Sequence, residues 1–370
     1  MRNHLLLLLL AASLMSCTKT IIEVNMCPAK ADSTMVKKDT TTTNSTVTIT
    51  KDVNDAVDRV VQGSLTSPTT LVTVATFDVA MQGSKGGFHT LQVHVAATNT
   101  GTGFANANSV VTLLHLYNSA GQQIDAEIVP PGIYPVVTFQ NLNTSLPAGT
   151  TTVFTIKADI AAIDGTAVTS GANVQINITP ADVSNIQVTD KNNVMIGGSN
   201  LIGSTVGSKI FFYPSGIVVN SIGNTTNYYQ SASASQTHGT FSMNIPFSVT
   251  AYGTSAYIPS TAVLATAAGT STHIQFGVDN GTAITSGATA VISYSGIDAM
   301  TVDANGNFMI PVGQTKNFVL TVTFTPSGSG VYRASLLNVN FNLTDSGIIY
   351  MPYTAGLNAQ AFKTAYVSGQ

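Results

Sequence analysis

The sequence predicts an all-β chain of two tandem β-sandwich domains behind a flexible N-terminal tether, and three observations carry that reading. The first is a repeat: a Pro-x-Gly turn followed by a period-two strand occurs as Leu146 to Ile160 and again as Ile310 to Val322. Pro presets φ and Gly accepts positive φ, so each copy opens on a turn, and the residues behind it alternate apolar and polar. The second is the facing this alternation creates. Phe154, Ile156, Ala158 and Ile160 share one side of a strand, as do Phe318, Leu320, Val322 and Phe324, so each strand has one buried face. The third is that short alternating runs separated by turn signals recur along the chain without helical periodicity, which is the pattern of a sandwich. Two copies imply two related domains, and 370 residues allow two at about 150 residues per domain.

Composition narrows the class further. Charged residues are only 8% of the chain, against about 25% in ordinary globular domains. Ser, Thr, Asn and Gly carry the polar surface, and a hydrophobic fraction of 44% is ample for two cores. The formal net charge is -3 and no basic stripe occurs, which argues against nucleic acid as a partner.

At the amino terminus, Arg2 and His4 precede an apolar run from Leu5 to Ala12, followed by Ser13-Leu14-Met15-Ser16-Cys17. The run is too short to span a bilayer of about 30 Å and has the layout of an export signal. Leu-x-Ser-Cys resembles the lipobox of bacterial lipoproteins, and the resemblance implies that Cys17 becomes the lipidated first residue of the mature chain, with 1–17 as the signal peptide. By the same resemblance, Thr18 in place of an Asp favours the outer surface over retention at an inner membrane. The remaining cysteine, Cys27, has neither a second thiol for a bridge nor a neighbouring His, and reads as an incidental residue of the tether.

Residues 18–65 read as a Thr-rich tether, with four consecutive threonines at Thr40 to Thr43. Thr46 to Thr50 has the alternation of one short strand, and Val53, Ala56, Val57 and Val60 fall at the spacing of one short amphipathic helix. Residues 66–213 read as the first sandwich. Its strand candidates include Thr73 to Ala80, Thr90 to Ala96, Val110 to Tyr117, Val136 to Phe139, the repeated strand after Pro147, and Val174 to Ile178. Ile210 to Tyr213 is its last apolar run before the break at Pro214-Ser-Gly216.

Residues 214–370 read as the second sandwich. Phe241, Met243, Ile245, Phe247 and Val249 alternate with polar residues, and Pro246, which cannot donate to a ladder, predicts a sheet edge or a bulge. The repeated strand at Phe318 and the run from Tyr332 to Leu343 complete the set. Val339, Phe341 and Leu343 are expected to face inward, with Asn338, Asn340 and Asn342 outward.

The segments Gly239 to Pro259, Asn307 to Phe318 and Gly330 to Arg333 resemble the tandem immunoglobulin-like modules of surface and S-layer-associated proteins in candidate-phyla bacteria. The first half is similar to the module that commonly precedes them, through Val93, Leu142 to Ala148 and Phe154-Thr-Ile-Lys-Ala-Asp159. The resemblance implies two immunoglobulin-like β-sandwich domains and a cell-surface setting. Such modules often carry acidic residues where this chain has Thr254 and Ser255, so no cation contact carries over.

A search for chemistry yields little. His89 and His94, five apart, are expected on opposite faces of one strand and so unable to share a metal. No Gly-x-Ser-x-Gly elbow, His-Glu-x-x-His helix or phosphate-binding Gly loop occurs. Asp303-Ala-Asn-Gly-Asn307 spaces its oxygens as calcium loops do but lacks the bidentate Glu, and Asn-Gly reads as a hairpin turn. Tyr228 and Tyr229, placed in a polar loop, are the candidate ligand contacts, since exposed aromatic pairs stack on sugars or anchor interfaces.

The expectation is therefore a lipid-anchored cell-surface protein with a structural, adhesive or surface-layer-associated role, with no cofactor, no metal site and no enzymatic activity. The alternative is a glycan- or peptide-binding surface module using the loop tyrosines. Expected partners are the membrane, through Cys17, and weak contacts with copies of itself or other surface proteins. Low charge leaves strand edges poorly defended against such contacts.

Overall fold

The computed structural model describes residues 44–369 except 56, 100–105, 235–237, 267, 269–271, 296–299 and 346–349. Cys17, Cys27 and the leader lie outside the described residues. Strands dominate, and the apolar side chains gather into two cores, one drawn from Val47 to Phe212 and the other from Ile217 to Phe362.

The first core lies between two sheets. One runs, in spatial order, Leu201–Gly203, Thr46–Lys51, Thr69–Gln82, Thr150–Ile160, Val111–Tyr117 and Gln123–Ile128. The other has Gly86–Thr98 and Ala172–Ile178 at its centre, with Ile210–Tyr213 and Arg59–Gln62 to one side and Gln187–Thr189 to the other. Phe88 meets Phe154 across the sandwich at 5.1 Å between ring centroids.

The second core is covered on one side by Gly216–Ser221, Thr240–Tyr252, Thr315–Phe324 and Ala288–Tyr294, in that order, with Thr226–Gln230 also paired to Thr240–Tyr252. A further sheet is built on Ile274–Asp279 and Gly330–Phe341, and the two-stranded pair Ala256–Pro259 and Asn307–Ile310 lies beside it.

The repeated strands take equivalent places, each central in its sheet. Thr150–Ile160 lies between Thr69–Gln82 and Val111–Tyr117, and Thr315–Phe324 lies between Thr240–Tyr252 and Ala288–Tyr294. Their inward residues are buried as the alternation predicts. The equivalence reaches side chains that sequence repetition does not show. Phe77 stands opposite Phe154 with rings stacked at 5.6 Å, and Phe247 stands opposite Phe318, also stacked at 5.6 Å. Such cross-strand aromatic pairs add to simple area burial.

The folded part begins earlier than the composition of residues 18–65 suggests. Thr46–Lys51 is a full strand of the first sheet, pairing antiparallel with Thr69–Gln82 and parallel with Leu201–Gly203, and Val47 and Ile49 are fully buried. Among the described residues from Asp52 to Val61 no α-helix forms. A single 3-10 turn covers Val53–Asp55, with Val53 82% exposed, and Arg59–Gln62 is a strand parallel to Ile210–Tyr213. Tertiary ties override the weak helical spacing: Ser208 donates its backbone N–H to the buried Asp55 carboxylate at 3.2 Å, and Lys209 N–H donates to Asp58 at 2.7 Å. A helix of about ten residues has little intrinsic stability to set against them.

Two further expectations change. Pro246 lies inside the Thr240–Tyr252 strand, paired to Val319 and away from any sheet edge. On its other side the neighbour is interrupted: Gly216–Ser221 pairs as far as Phe247, Thr226–Gln230 resumes at Asn244, and Gly223 packs against the Pro246 ring. The missing N–H therefore costs no ladder bond. Asn338, Asn340 and Asn342 are buried, and they do not form the outward row that the alternation assigns them. A register shift at Gln275/Phe276 moves the inward parity from Leu336 to Val339, and the amides on the other side are used within the sheet. Asn338 donates to Gln275 Oε1 at 3.2 Å, and Asn340 donates to the His273 carbonyl. That row is therefore not available for pairing with another copy of the chain.

Candidate functional site

Tyr228 and Tyr229 belong to the strand Thr226–Gln230, so their side chains point to opposite sides. Tyr228 is 66% exposed, while Tyr229 packs on Phe241 at 4.8 Å between ring centroids. They cannot form a joint aromatic platform. Asp303–Asn307 is a turn, with Asn305 and Asn307 N–H groups both donating to one Asp303 carboxylate oxygen.

The histidines are engaged locally. His94 Nδ1 is 2.8 Å from the Asp182 carboxylate and its ring stacks on Tyr134 at 4.4 Å; His89 Nε2 is 2.9 Å from Thr189 Oγ1; His115 is 3.2 Å from Asp159. Among the described residues no three His, Cys, Asp or Glu side chains gather as a metal site.

The expected separation of His89 and His94 does not hold, and the reason shapes a polar concavity. Gly86–Thr98 carries a bulge opposite Gln187/Val188, so Phe88 pairs Val188 while Thr90 pairs Gln187. The extra residue reverses the alternation between Phe88 and Leu91, both buried. His89 consequently lines the same hollow as Thr90 and Gln92, the face that also carries His94.

That hollow, of about 440 Å³, is completed by Thr138, Gln140, Asn141, Asn143, Asn185 and Gln187. Asn141 and Asn143 adopt left-handed backbone with φ of 54° and 47°, a conformation Asn tolerates better than most residues. Between them Leu142 is buried, and its N–H donates to the His89 carbonyl at 3.1 Å, which fixes the loop against the sheet. A second hollow of about 560 Å³ shares Asn185 and Gln187 and continues past Pro180, Ile186, Met195, Ile196 and Leu201. The turn at its edge, Pro180–Val183, is held by a capping box in which the buried Asp182 carboxylate accepts from Thr179 N–H and Oγ1, each at 2.7 Å, and pairs with His94.

The two hollows form one groove with an amide-rich half and a partly apolar half. No Asp, Glu, Lys or Arg lines either half, and the His89 imidazole is the only ring apart from that of Pro180. Each carboxamide offers both donors and an acceptor, so the surface matches a ligand with alternating neutral donors and acceptors. Sequence reading missed this site because its residues come from four separated segments and are individually ordinary polar residues; the bulge that unites them has no local signature.

No protein-family model matches the chain, and no curated protein matches it. Solved structures similar to parts of it include a chain of a cohesin–dockerin complex, at 13% identity over 45% of this chain and 99% of that chain, with a TM-score of 0.23. Red sea bream transglutaminase matches at 10% identity over 84% of this chain and 30% of its own, with a TM-score of 0.20. The serine-rich repeat adhesion glycoprotein of Streptococcus agalactiae matches at 10% identity over 80% of this chain and 91% of its own, with a TM-score of 0.18. TM-scores this low carry no argument about activity.

Proposed function

We propose that the chain is a cell-surface lipoprotein with a structural or adhesive role, anchored through Cys17 and presenting two β-sandwiches outside the membrane. The observation that supports adhesion is the uncharged, amide-lined groove on the first sandwich, a fixed recognition face with no constellation for bond-breaking chemistry built into it. In this reading the chain is not an enzyme, and the groove holds an extended, neutral segment of a partner protein. Main-chain amides of such a segment would pair with Gln92, Gln140 and Gln187, and one apolar side chain would lie near Ile186 and Met195. A glycan is the weaker occupant, because sugar rings stack on aromatic faces and neither half supplies a Tyr, Phe or Trp.

The groove is tested by adhesion of cells displaying the wild-type chain, compared with Gln92→Glu and Gln187→Glu. A buried carboxylate facing neutral amides should lower adhesion about tenfold or more, the cost of an unpaired charge at an interface, with unchanged thermal stability. Unaltered adhesion would remove the groove from the reading.

The anchor rests on the apolar run from Leu5 and the Leu-Met-Ser-Cys17 ending. Metabolic labelling with a fatty acid should mark the wild type and leave Cys17→Ser unlabelled, since stable anchoring needs two or more chains on one residue or a second signal. Equal labelling of both proteins would exclude Cys17 as the attachment point.

A further inference from the structure

The partly apolar half of the groove lies where the first sandwich is open along one side. Met195–Ile196 is the outermost strand of one sheet and Leu201–Gly203 the outermost strand of the other, and the chain crosses between them through the turn Gly198–Asn200. Neither strand carries a charge or a Pro, which are usual guards of a sheet edge. Val194, Met195, Ile202 and Val206 are each half exposed or more. An exposed apolar group of this kind, rimmed here by Ser184, Asn185 and Gln187, marks an interaction surface.

The chain supplies a matching segment and brings it to the spot. Thr46–Lys51 enters the fold beside this hollow, with Val47 paired to Leu201, one of the residues that line it. Ahead of that strand, outside the described residues, Ile22, Val24 and Met26 alternate with Glu23 and Asn25, and Pro28 follows. That is the pattern of one short strand with a single apolar face. Seventeen residues separate Met26 from Asn44, and at up to about 3.3 Å each they are long enough to turn back from the point of entry to the hollow. A segment linked in this way meets its site at an effective concentration on the order of millimolar, so a weak contact is enough to fill it. No charged residue lines the hollow, and Glu23, the one charge from Ile22 to Met26, falls on the other side of the alternation.

We propose that the segment Ile22 to Met26 docks in extended form in the apolar half of the groove, with Ile22, Val24 and Met26 against Ile186, Met195 and Leu201. The docking rests on the geometry of the hollow and is independent of lipidation at Cys17. Its consequence rests on the adhesive reading given above: the segment takes the place of the partner's apolar side chain, so the protein restrains its own adhesion until a partner displaces the tether.

Cys27 adjoins the segment and, in the mature chain carrying Cys17→Ser, is the only thiol. A nitroxide on Cys27 should erase most of the amide signal of Met195, Ile196, Gly197 and Leu201 in the folded protein. Ile22→Asp combined with Val24→Asp should restore those signals, and Met195→Asp, at an exposed position, should do the same at Gly197 and Leu201. The docking is overturned if the groove amides lose no more signal in the parent than in the double variant, which would be mere nearness to the point of entry, or if the loss is greatest at another surface. It is also overturned if isotope-enriched chain without the nitroxide loses the same signals when mixed with labelled chain, because the occupant would then be a second copy. With Cys17 intact, adhesion of displaying cells should rise several-fold in the double variant, since apparent affinity falls with the fraction of sites already filled. Restored signals without that rise would overturn the self-restraint and leave the docking standing.

Discussion

A chain shortened to begin at Thr66 is expected to fail to fold its first sandwich, although composition alone would place the start of the domain there. The shortening removes one strand from each sheet, since Thr46–Lys51 belongs to one and Arg59–Gln62 to the other. Val47 and Ile49 are fully buried, and losing two such side chains costs about 3–6 kcal/mol from burial alone. The loss also strips the partners from Ser208 and Lys209 and exposes both sheets along an edge. Against a typical stability of about 5–15 kcal/mol, this is enough to unfold the unit. Circular dichroism and heating of proteins starting at Asn44 and at Thr66 distinguish the cases: a cooperative melt from the shorter protein within a few degrees of the longer one would show that these strands are ornamental.

Phe154→Ala and Phe318→Ala are expected to be the most damaging single substitutions, each lowering stability by about 3–5 kcal/mol. Each ring is fully buried, is stacked on its cross-strand partner, and touches a further ring across the core, Phe88 in one case and Phe308 in the other. Because the two cores are separate clusters, calorimetry should resolve two transitions, with each substitution moving only its own. A single transition shifted alike by both would mean that the junction makes the two halves one cooperative unit.

What the sequence makes legible is what local periodicity controls. The inward faces at Phe154 to Ile160, Phe241 to Val249 and Phe318 to Phe324, and the Asp303 turn, follow from alternation and turn chemistry and are found as read. The exceptions are set by partners distant in the chain. The strand at Thr46–Lys51 is legible in its alternation, but its membership of the first sandwich is not, because that is set by its pairings with Thr69–Gln82 and Leu201–Gly203. Alternation places the asparagines at 338 and 340 outward only in a sheet with one solvated face, whereas this strand is buried on both. The site residues were less visible still. Tyr228 and Tyr229 are adjacent in sequence, and adjacency in a strand separates side chains. Three tyrosines that do line one hollow, Tyr213, Tyr252 and Tyr353, have no sequence relation to one another.

The parallel pairings of Thr46–Lys51 with Leu201–Gly203 and of Arg59–Gln62 with Ile210–Tyr213 also set an order of events during synthesis. A nascent chain emerges N-terminus first, so Arg59–Gln62 leaves the ribosome long before the strand it pairs with, and Thr46–Lys51, which meets Thr69–Gln82 early, leaves long before its second neighbour. Closing so large a loop is entropically costly, and contacts of high sequence separation slow folding. Both sheets must therefore wait, with their edge positions unfilled, until Ile210 has been made. A chain that terminates or is cleaved before that point is left with two unclosed sheets rather than a smaller folded domain, and its exposed edges make it a substrate for chaperones and proteases.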